Sequence, residues 1–256
     1  MENRPSMSIE GSLEEMGRYY TDRIPYHDRY MRYTDNSSME KLLAPIVDLV
    51  GRELAGKDVL EIACGTGNWT QVLSKHARSV VATDLIEGYL ELARKKDYAK
   101  RNVTFKTADA YLLEGISGRF TAAFASDWWS HMPHSKIGQF LDALHTKLQP
   151  RARVVMLDML QSPELDEWYS HIDDDGNTVQ KRTLPNGRKY NVIKNFPTER
   201  ELRGQLGNRA FDIDFIEDQK LRRWVLAYSV RSDTSSFRAR KPRQRRGLPP
   251  PHRNRE

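Results

Sequence analysis

The segment at residues 59–70, VLEIACGTGNWT, constrains the fold of this chain more than any other. Its apolar start predicts a β-strand covered on both faces, and Gly65 and Gly67 predict a turn with positive φ angles where main chain can approach a ligand. Asn68 then begins a predicted helix whose N-terminal N–H groups face that ligand. This order of strand, glycine turn and helix predicts a site for a nucleotide-like cofactor.

Two residues near the turn narrow the choice of cofactor. The dinucleotide fingerprint G-x-G-x-x-G requires a third glycine where this chain has Thr70, so a dinucleotide and a nicotinamide oxidoreductase are disfavoured. Asp84 ends the next apolar run, residues 80–83, and a carboxylate at that place is suited to ribose hydroxyls. The glycine turn and Asp84 therefore predict a ribose-containing cofactor other than a dinucleotide.

Glu61, Gly65, Gly67 and Asp84 together resemble the class I S-adenosylmethionine-dependent methyltransferases, whose first motif is an acidic residue followed by x-x-x-G-x-G. The resemblance covers about residues 40–230. Within it, residues 102–110 resemble the third strand of the family, residues 120–132 the fourth strand with its loop, and residues 152–159 the fifth strand. It implies an α/β fold with a Rossmann-like, doubly wound, seven-stranded, mostly parallel sheet, and S-adenosylmethionine as cofactor.

The resemblance also implies roles for individual residues. Glu61 would face the methionine end of the cofactor, Asp84 would accept from the ribose hydroxyls, and Asp109 would lie by the adenine, whose amino group can donate to a carboxylate. Of Trp128 and Trp129, one is expected beside the cofactor and the other in the core. The complete set of implied cofactor-binding residues is Tyr20, Glu61, Ala63, Gly65, Gly67, Asp84, Leu85, Asp109, Ala110, Asp127 and Trp128.

Strands and helices alternate along the middle of the chain, which predicts a parallel sheet between two layers of helices. The carboxyl ends of such strands share one edge, so Glu61, Asp84, Asp109 and Asp127 are expected there together. The predicted strands are residues 59–63, 79–83, 103–107, 120–125 and 152–158, and the predicted helices are residues 68–77, 87–98, a short one near 111, and 134–148.

The alternation stops after Met159. Pro185, Asn186 and Gly187 separate two β-rich runs and predict a β-hairpin with an Asn-Gly turn inside an insertion at about residues 160–196. This hairpin could serve as a lid or as a dimerisation arm. A capping box at Thr198 and Glu201 predicts a helix to about residue 206, followed by strands at 211–217 and 223–230.

Residues 1–36 are predicted to form an N-terminal helical cap segment, with residues 1–12 unstructured. Five tyrosines in this segment need a surface to cover, so the cap is expected either to fold across the cofactor or simply to pack against the body. A second capping box, Ser37 with Glu40, begins the predicted methyltransferase domain at residues 37–231. The tyrosines are Tyr19, Tyr20, Tyr26, Tyr30 and Tyr33.

The net charge of +6 lies in the C-terminal tail. Residues 232–256 hold eight lysines or arginines against two acidic residues, while residues 1–231 hold 33 of each sign. The body therefore lacks the net basic charge that nucleic-acid binding usually requires. The tail is rich in proline and poor in aliphatic residues, which predicts disorder, and nucleic acid is an expected partner only if the tail recruits it.

His131 and His134 follow the fourth predicted strand, close to where a transferred methyl group would point. We predict His131 as the catalytic base, since imidazole titrates near neutral pH. His171 and the aspartates at 173–175 favour a solvated turn, so no metal is predicted. Cys64 is the single cysteine and is expected to be a small core residue.

The leading functional prediction is methyl transfer to O, N or C of a small-molecule metabolite. The alternatives are an RNA or protein methyltransferase recruited through the basic tail, and a non-catalytic adenosylmethionine-binding module. No apolar run approaches the roughly 18 residues of a membrane span, and one cysteine agrees with a reducing compartment. We expect a cytoplasmic monomer or homodimer without a membrane partner.

Overall fold

The computed structural model describes residues 8–27 and 38–231, which form a seven-stranded sheet flanked by helices and a separate three-stranded sheet. Ser37, Tyr30, Tyr33 and the C-terminal tail lie outside the described residues. The strands of the large sheet are β1 (Asp58–Ile62), β2 (Ser79–Asp84), β3 (Val103–Thr107), β4 (Phe120–Ser126), β5 (Leu148–Met159), β9 (Ala210–Asp218) and β10 (Arg223–Val230).

The large sheet has the order β3-β2-β1-β4-β5-β10-β9. Neighbouring strands from β3 to β5 are parallel, and β10 runs antiparallel to both β5 and β9. The chain therefore switches direction of winding between β1 and β4, the place where open α/β sheets bind ligands. The predicted seven-stranded, mostly parallel sheet is confirmed.

Helices cover both faces of this sheet. They are α1 (Ile9–Arg23), α2 (Ser38–Leu42), α3 (Ala44–Glu53), α4 (Asn68–His76), α5 (Glu87–Ala93), α6 (Ile137–Thr146), α7 (Pro163–Asp166) and α8 (Glu199–Leu206), with short 3-10 turns at Ile24–Tyr26, Trp129–His131, His134–Lys136 and Gly207–Arg209. None of these described helices is long and apolar enough to cross a membrane.

Alternate residues of the central strands enter two different cores. Leu60 and Ile62 of β1 pack in the core that contains Phe140 of α6, whereas Val59 packs in the core that contains Val72 of α4. This period of two, with both faces apolar, is what a strand buried between two helical layers requires. The doubly wound architecture follows from it.

Several predicted boundaries were wrong for local reasons. No helix forms near residue 111, because the Asp109 carboxylate accepts from the Tyr111 N–H and makes a turn that ends at Leu113, φ +50°. The helix predicted at 87–98 ends at Ala93, whose carbonyl accepts from the Tyr98 hydroxyl at 2.7 Å. Residues 9–12, predicted to be unstructured, belong to α1, because the Ser8 hydroxyl caps the helix by accepting from Gly11 N.

The insertion holds a three-stranded antiparallel sheet, β6 (Tyr169–Ile172), β7 (Thr178–Thr183) and β8 (Lys189–Ile193). The predicted hairpin is the β7–β8 pair, and β6 was missed. Its turn centres on Pro185 and Asn186, since Gly187 N donates to the Leu184 carbonyl, and Gly187 follows in the left-handed region. Helix α1 packs against β8, so the N-terminal segment and the inserted sheet form one body.

Candidate functional site

The carboxyl ends of β1, β2, β3 and β4 share one edge of the sheet, as their parallel pairing requires. Asp84 is the last residue of β2, Asp109 lies two residues beyond β3, and Asp127 follows β4 directly. Glu61 is still inside β1. The structure thus brings the four predicted acidic residues to the same edge.

The loop after β1 has three left-handed residues in five, Ala63, Gly65 and Gly67, with φ of +52°, +55° and +80°. Positive φ was predicted for the two glycines, and an alanine there costs about 1 kcal/mol. A Cβ at Gly67 would lie 2.6 Å from the Tyr98 hydroxyl and 3.0 Å from Ala93 Cβ. The left-handed backbone at residue 67 and the close packing of Tyr98 and Ala93 therefore both favour glycine there.

Asp84 holds this loop against the end of β2. Its Oδ2 accepts from Gly65 N at 2.9 Å, and its Oδ1 accepts from Ile86 N at 2.9 Å. Burial raises the pKa of this carboxyl, while the backbone bonds oppose that effect. Beside it, Leu85 leaves 61% of its surface exposed, so an apolar side chain borders the edge of the sheet without protein cover.

Glu61 is 1% exposed and accepts from the Thr70 hydroxyl through Oε2 at 2.7 Å. The residue that replaces the third glycine of the dinucleotide fingerprint thus joins α4 to β1. Burial raises the pKa of Glu61 to about 8. Burial also raises the pKa of the Cys64 thiol, so Cys64 is a poor nucleophile.

Trp128 and Asp127 each bury a polar atom without a hydrogen-bond partner in the described chain: indole Nε1 and carboxylate Oδ1. Arg223 Nη1 is 3.6 Å from that oxygen. The Trp128 ring packs against Tyr111 at 5.6 Å between ring centroids. Trp129 is buried in the core, which confirms that one of the two tryptophans has a packing role.

His131 is buried and makes two hydrogen bonds. Its Nδ1–H donates to the Ile193 carbonyl at 2.7 Å, and its Nε2 accepts from the Tyr20 hydroxyl at 2.8 Å. Burial, followed by the charges of Lys194 and Arg182, holds the pKa of His131 well below its usual range. The predicted base is therefore neutral at neutral pH, and Tyr20 occupies its accepting nitrogen.

A buried ion pair that sequence reasoning missed lies beside His131. Lys194 Nζ donates to Asp158 Oδ1 at 2.9 Å and to Ser130 Oγ at 2.6 Å, and Asp158 Oδ2 accepts from Ser130 N at 2.9 Å. The pair joins β5, the loop after β4 and the end of β8. A lysine directly after the apolar strand β8 was the available signal, because lysine is rarely buried without a partner.

The N-terminal segment reaches the glycine loop. His27 Nδ1 lies 3.2 Å from the Tyr89 hydroxyl, which donates to the Tyr20 carbonyl at 2.9 Å. An added Cβ at Gly65 would lie 3.5 Å from His27. Tyr19 is buried in a small cluster with Met16 and residues of β8, so Tyr19 has a packing role and only Tyr20 faces His131.

The aspartates after β6 form a turn in which Asp173 Oδ1 accepts from Asn177 N at 2.7 Å. His171 is exposed and its Nδ1 lies 3.1 Å from the Ser170 hydroxyl. Across residues 8–27 and 38–231, no three His, Cys, Asp or Glu side chains are grouped closely enough to hold a metal ion.

Comparison with known proteins matches the part of the chain that carries this edge. A family model of the methyltransferase domain matches residues 59–151, from β1 into β5. This segment is therefore similar to methyltransferase domains, in agreement with the resemblance seen in the sequence. The solved complex DhpI-SAM-HEP has the same fold, with a TM-score of 0.68 and 23% identity over 88% of this chain and 100% of that chain.

Curated proteins that are similar to this chain act on different acceptors by their names. Demethylmenaquinone methyltransferase of Clavibacter sepedonicus is 32% identical over 110 residues, which is 43% of this chain and 44% of that enzyme. The 23S rRNA (uracil(1939)-C(5))-methyltransferase RlmD of Marinomonas posidonica is 26% identical over 147 residues, 55% of this chain and 32% of that enzyme. The chain thus matches less than half the length of either relative.

Proposed function

We propose that this chain transfers a methyl group from S-adenosylmethionine to a nucleophilic atom of a small-molecule metabolite. The observation that carries the proposal is the Tyr20–His131 pair, which lies where α1 and the inserted sheet meet the loop after β4. We propose that the acceptor binds at this junction, enclosed by protein, beside the sheet edge proposed to hold the cofactor. A small acceptor fits such enclosure better than a polymer.

The residues at the sheet edge fit the cofactor. Asp84 presents a carboxylate at the end of β2, Leu85 is exposed beside it, and Ala63 and Gly65 hold a left-handed backbone at the end of β1. We propose that Asp84 binds the ribose, Leu85 and Ala110 border the adenine with Asp109, and Glu61 with Ala63 borders the methionine end. Trp128 Nε1 and Asp127 Oδ1 are two of the buried polar atoms without a hydrogen-bond partner among the described residues, and we propose that the bound cofactor satisfies them.

When bound, S-adenosylmethionine supplies an electrophilic methyl group on a positively charged sulfur. The chain's own contribution is to position the acceptor, exclude water and remove one proton. We propose that the Tyr20 oxygen takes the proton of the accepting group while its own proton passes to His131 Nε2. The Nδ1–H bond to the Ile193 carbonyl keeps the ring in the tautomer that can accept there.

The decisive experiment combines binding and turnover. Calorimetry should show that S-adenosylhomocysteine binds, and methyl-labelled S-adenosylmethionine should label a member of a metabolite panel. Tyr20→Phe should abolish most of the labelling and retain binding, whereas Tyr169→Phe on the exposed edge strand β6 is the matched control. Binding without labelling of any metabolite would instead favour a non-catalytic module, and absence of binding would refute the proposal.

RNA is the second candidate acceptor, because one relative is named as an rRNA methyltransferase. The basic tail at residues 232–256 would then recruit the substrate through phosphate contacts. Deletion of residues 235–256 should weaken labelling of total RNA, and raising the salt concentration should abolish the difference between the two proteins. Labelling of metabolites that is unaffected by the deletion favours the first candidate. We further propose a cytoplasmic location and a monomer or homodimer.

A further inference from the structure

Arg182 of β7 is a half-buried arginine held in one orientation. Its Nη2 and Nε donate to Gln180 Oε1 at 2.9 and 3.3 Å. Gln180 is itself fixed, since it is 1% exposed and its Nε2 donates to the Leu165 carbonyl at 2.9 Å. The guanidinium is therefore oriented by a second side chain that cannot move independently.

Two aromatic rings also contact the guanidinium of Arg182. Its Cζ lies 5.7 Å from the ring centroid of Tyr19 and 5.6 Å from that of Trp168. Planar stacking and a fork of N–H donors are the properties that make arginine suited to carboxylate and phosphate groups. Trp168 remains 42% exposed, so this arrangement borders solvent rather than the core.

No carboxylate oxygen among the described residues lies within 4.0 Å of the Arg182 guanidinium, whose polar contact is Gln180. Arg153, which has a structural role, differs: its guanidinium pairs with Glu53, Asp212 and Asp214. Of the five N–H donors of Arg182, the two bonds to Gln180 leave three for another group. Arg182 is therefore positioned to bind an anionic group of another molecule.

Arg182 also lies beside the proposed acceptor site. The Tyr19 ring on which it stacks contacts the Tyr20 ring at 5.0 Å between centroids. Burial raises the pKa of Tyr20, and the positive charge of Arg182 is the largest of the influences that lower it. The same charge, after burial and Lys194, lowers the pKa of His131. Two further cations lie near the pair: Lys194, which is paired with Asp158, and Arg23, whose Cζ is 5.7 Å from the ring centroid of Tyr20.

We propose that the methyl acceptor carries an oxyanion group, a carboxylate or a phosphate-type group, and that Arg182 binds this group while the accepting atom lies at Tyr20. The inference rests on the proposed function. It assigns the inserted sheet a part in substrate recognition, because β7 supplies both Arg182 and Gln180. A neutral metabolite bound here would cover the guanidinium without supplying an anion to replace water, which disfavours such metabolites.

Benzoate and inorganic phosphate test the inference, with benzyl alcohol as the uncharged control. Protein with ¹⁵N-labelled arginine and saturating S-adenosylhomocysteine is titrated with each probe, and the Arg Nε–H resonances are followed by NMR. We expect saturable binding of at least one anion with a shift at Arg182, and no shift with benzyl alcohol. The preferred anion distinguishes a carboxylate from a phosphate-type acceptor.

Arg182→Gln should weaken this anion binding at least about tenfold, and Arg182→Lys should weaken it less, since lysine keeps the charge but loses the fork. Arg203→Gln is the control, because Arg203 is exposed on α8 and pairs with Glu199. Equal weakening in Arg203→Gln and Arg182→Gln, or no saturable binding in the parent protein, would overturn the inference. The Arg182 resonance of the parent protein gives an answer even if Arg182→Gln does not fold.

The S-adenosylhomocysteine titration in the same samples separates the two hypotheses. If S-adenosylhomocysteine does not bind, the proposed function fails, and with it the assignment of Arg182 to an acceptor. If S-adenosylhomocysteine binds and anion binding is unaffected by Arg182→Gln, only the inference about the acceptor is wrong.

Discussion

The Tyr20 hydroxyl lies 2.8 Å from Nε2 of His131, although 111 positions separate the two residues in the chain. The pair joins α1 to the short turn after β4, and β8 holds the other side of the imidazole through the Ile193 carbonyl. Both imidazole nitrogens of His131 are therefore engaged within the protein. In the proposed mechanism Tyr20 contacts the acceptor, and His131 orients Tyr20 and takes its proton.

Tyr20→Phe should lower kcat about a hundredfold or more, in keeping with the loss of general acid–base catalysis. The variant keeps the ring that packs on Tyr19 and His131, so the affinity for S-adenosylhomocysteine and the unfolding midpoint should change little. Initial rates with labelled donor measure kcat, and titration calorimetry measures the affinity for S-adenosylhomocysteine. An unfolding curve gives the midpoint.

His131→Gln provides the matching test. If His131 acts through Tyr20, the double variant with Tyr20→Phe should be no slower than the slower single variant, because both changes remove one unit. If the double variant instead shows the product of the two single rate losses, the residues act independently. A fully active Tyr20→Phe would exclude Tyr20 from proton removal.

Asp84→Asn should weaken binding of S-adenosylhomocysteine by about tenfold or more. The substitution replaces one carboxylate oxygen by an NH₂ group that faces a backbone N–H, either Gly65 N or Ile86 N, so the side chain at position 84 loses one backbone bond as well as its charge. Calorimetry measures the affinity.

Leu85→Ser is the companion of that experiment. Leu85 is 61% exposed, so its removal should leave the free energy of unfolding within about 0.5 kcal/mol of the parent value. It should still weaken binding of S-adenosylhomocysteine several-fold if it covers the adenine. Unchanged affinity in both variants would place the cofactor elsewhere.

Lys194→Met should raise the pKa of His131. Lys194 lowers that pKa in the parent protein, and its loss leaves the buried carboxylate of Asp158 without its cation, which favours the imidazolium. The folded protein should also lose about 3 kcal/mol of stability, because a buried charge is left unpaired. Long-range ¹H–¹⁵N NMR of the imidazole gives the pKa.

The double variant Lys194→Met with Asp158→Asn removes both charges and should return the pKa of His131 toward its low value. It should also recover part of the lost stability. If Lys194→Met leaves the imidazole titration where it was, burial alone keeps His131 neutral and the ion pair only joins β5 to β8.

Local pattern was sufficient to predict the large sheet. Strands β1 to β5 and the pair β9–β10 were placed within a few residues, because apolar runs and glycine turns are local signals. The bond from Asp109 to Tyr111 N, which replaces a predicted helix by a turn, is a choice between two local structures of similar energy. Sequence pattern does not distinguish them.

Contacts between distant segments could not be predicted in this way. The close packing of Tyr98 on Gly67 is one example, and the neutral state of His131, which comes partly from Lys194, is another. Family resemblance and the alternation of strands and helices together predicted the acidic residues at the strand ends. Neither predicted β6 or a role for Arg182, because no family motif was identified in the inserted sheet, which also lies outside the family model at residues 59–151.

Glu61→Gln should make the ligand-free protein more stable at pH 8 than the parent protein. The pKa of Glu61 is raised to about 8 in the folded protein by burial, above the ordinary value of 4.5. The folded state therefore keeps a proton that the unfolded state releases between these values. The stabilisation is present below about pH 4.5 and is lost as the pH rises through 8, at up to about 1.4 kcal/mol per pH unit.

Glutamine does not titrate, and its carbonyl can still accept from Thr70, so the variant should match the parent near pH 5 and exceed it by roughly 2–4 kcal/mol at pH 8. Urea unfolding at the two pH values measures the difference, and Glu91→Gln on the exposed face of α5 should leave the pH dependence of the parent unchanged. A Glu61→Gln variant with the parent's full pH dependence would show that Glu61 is ionised in the folded protein despite its burial.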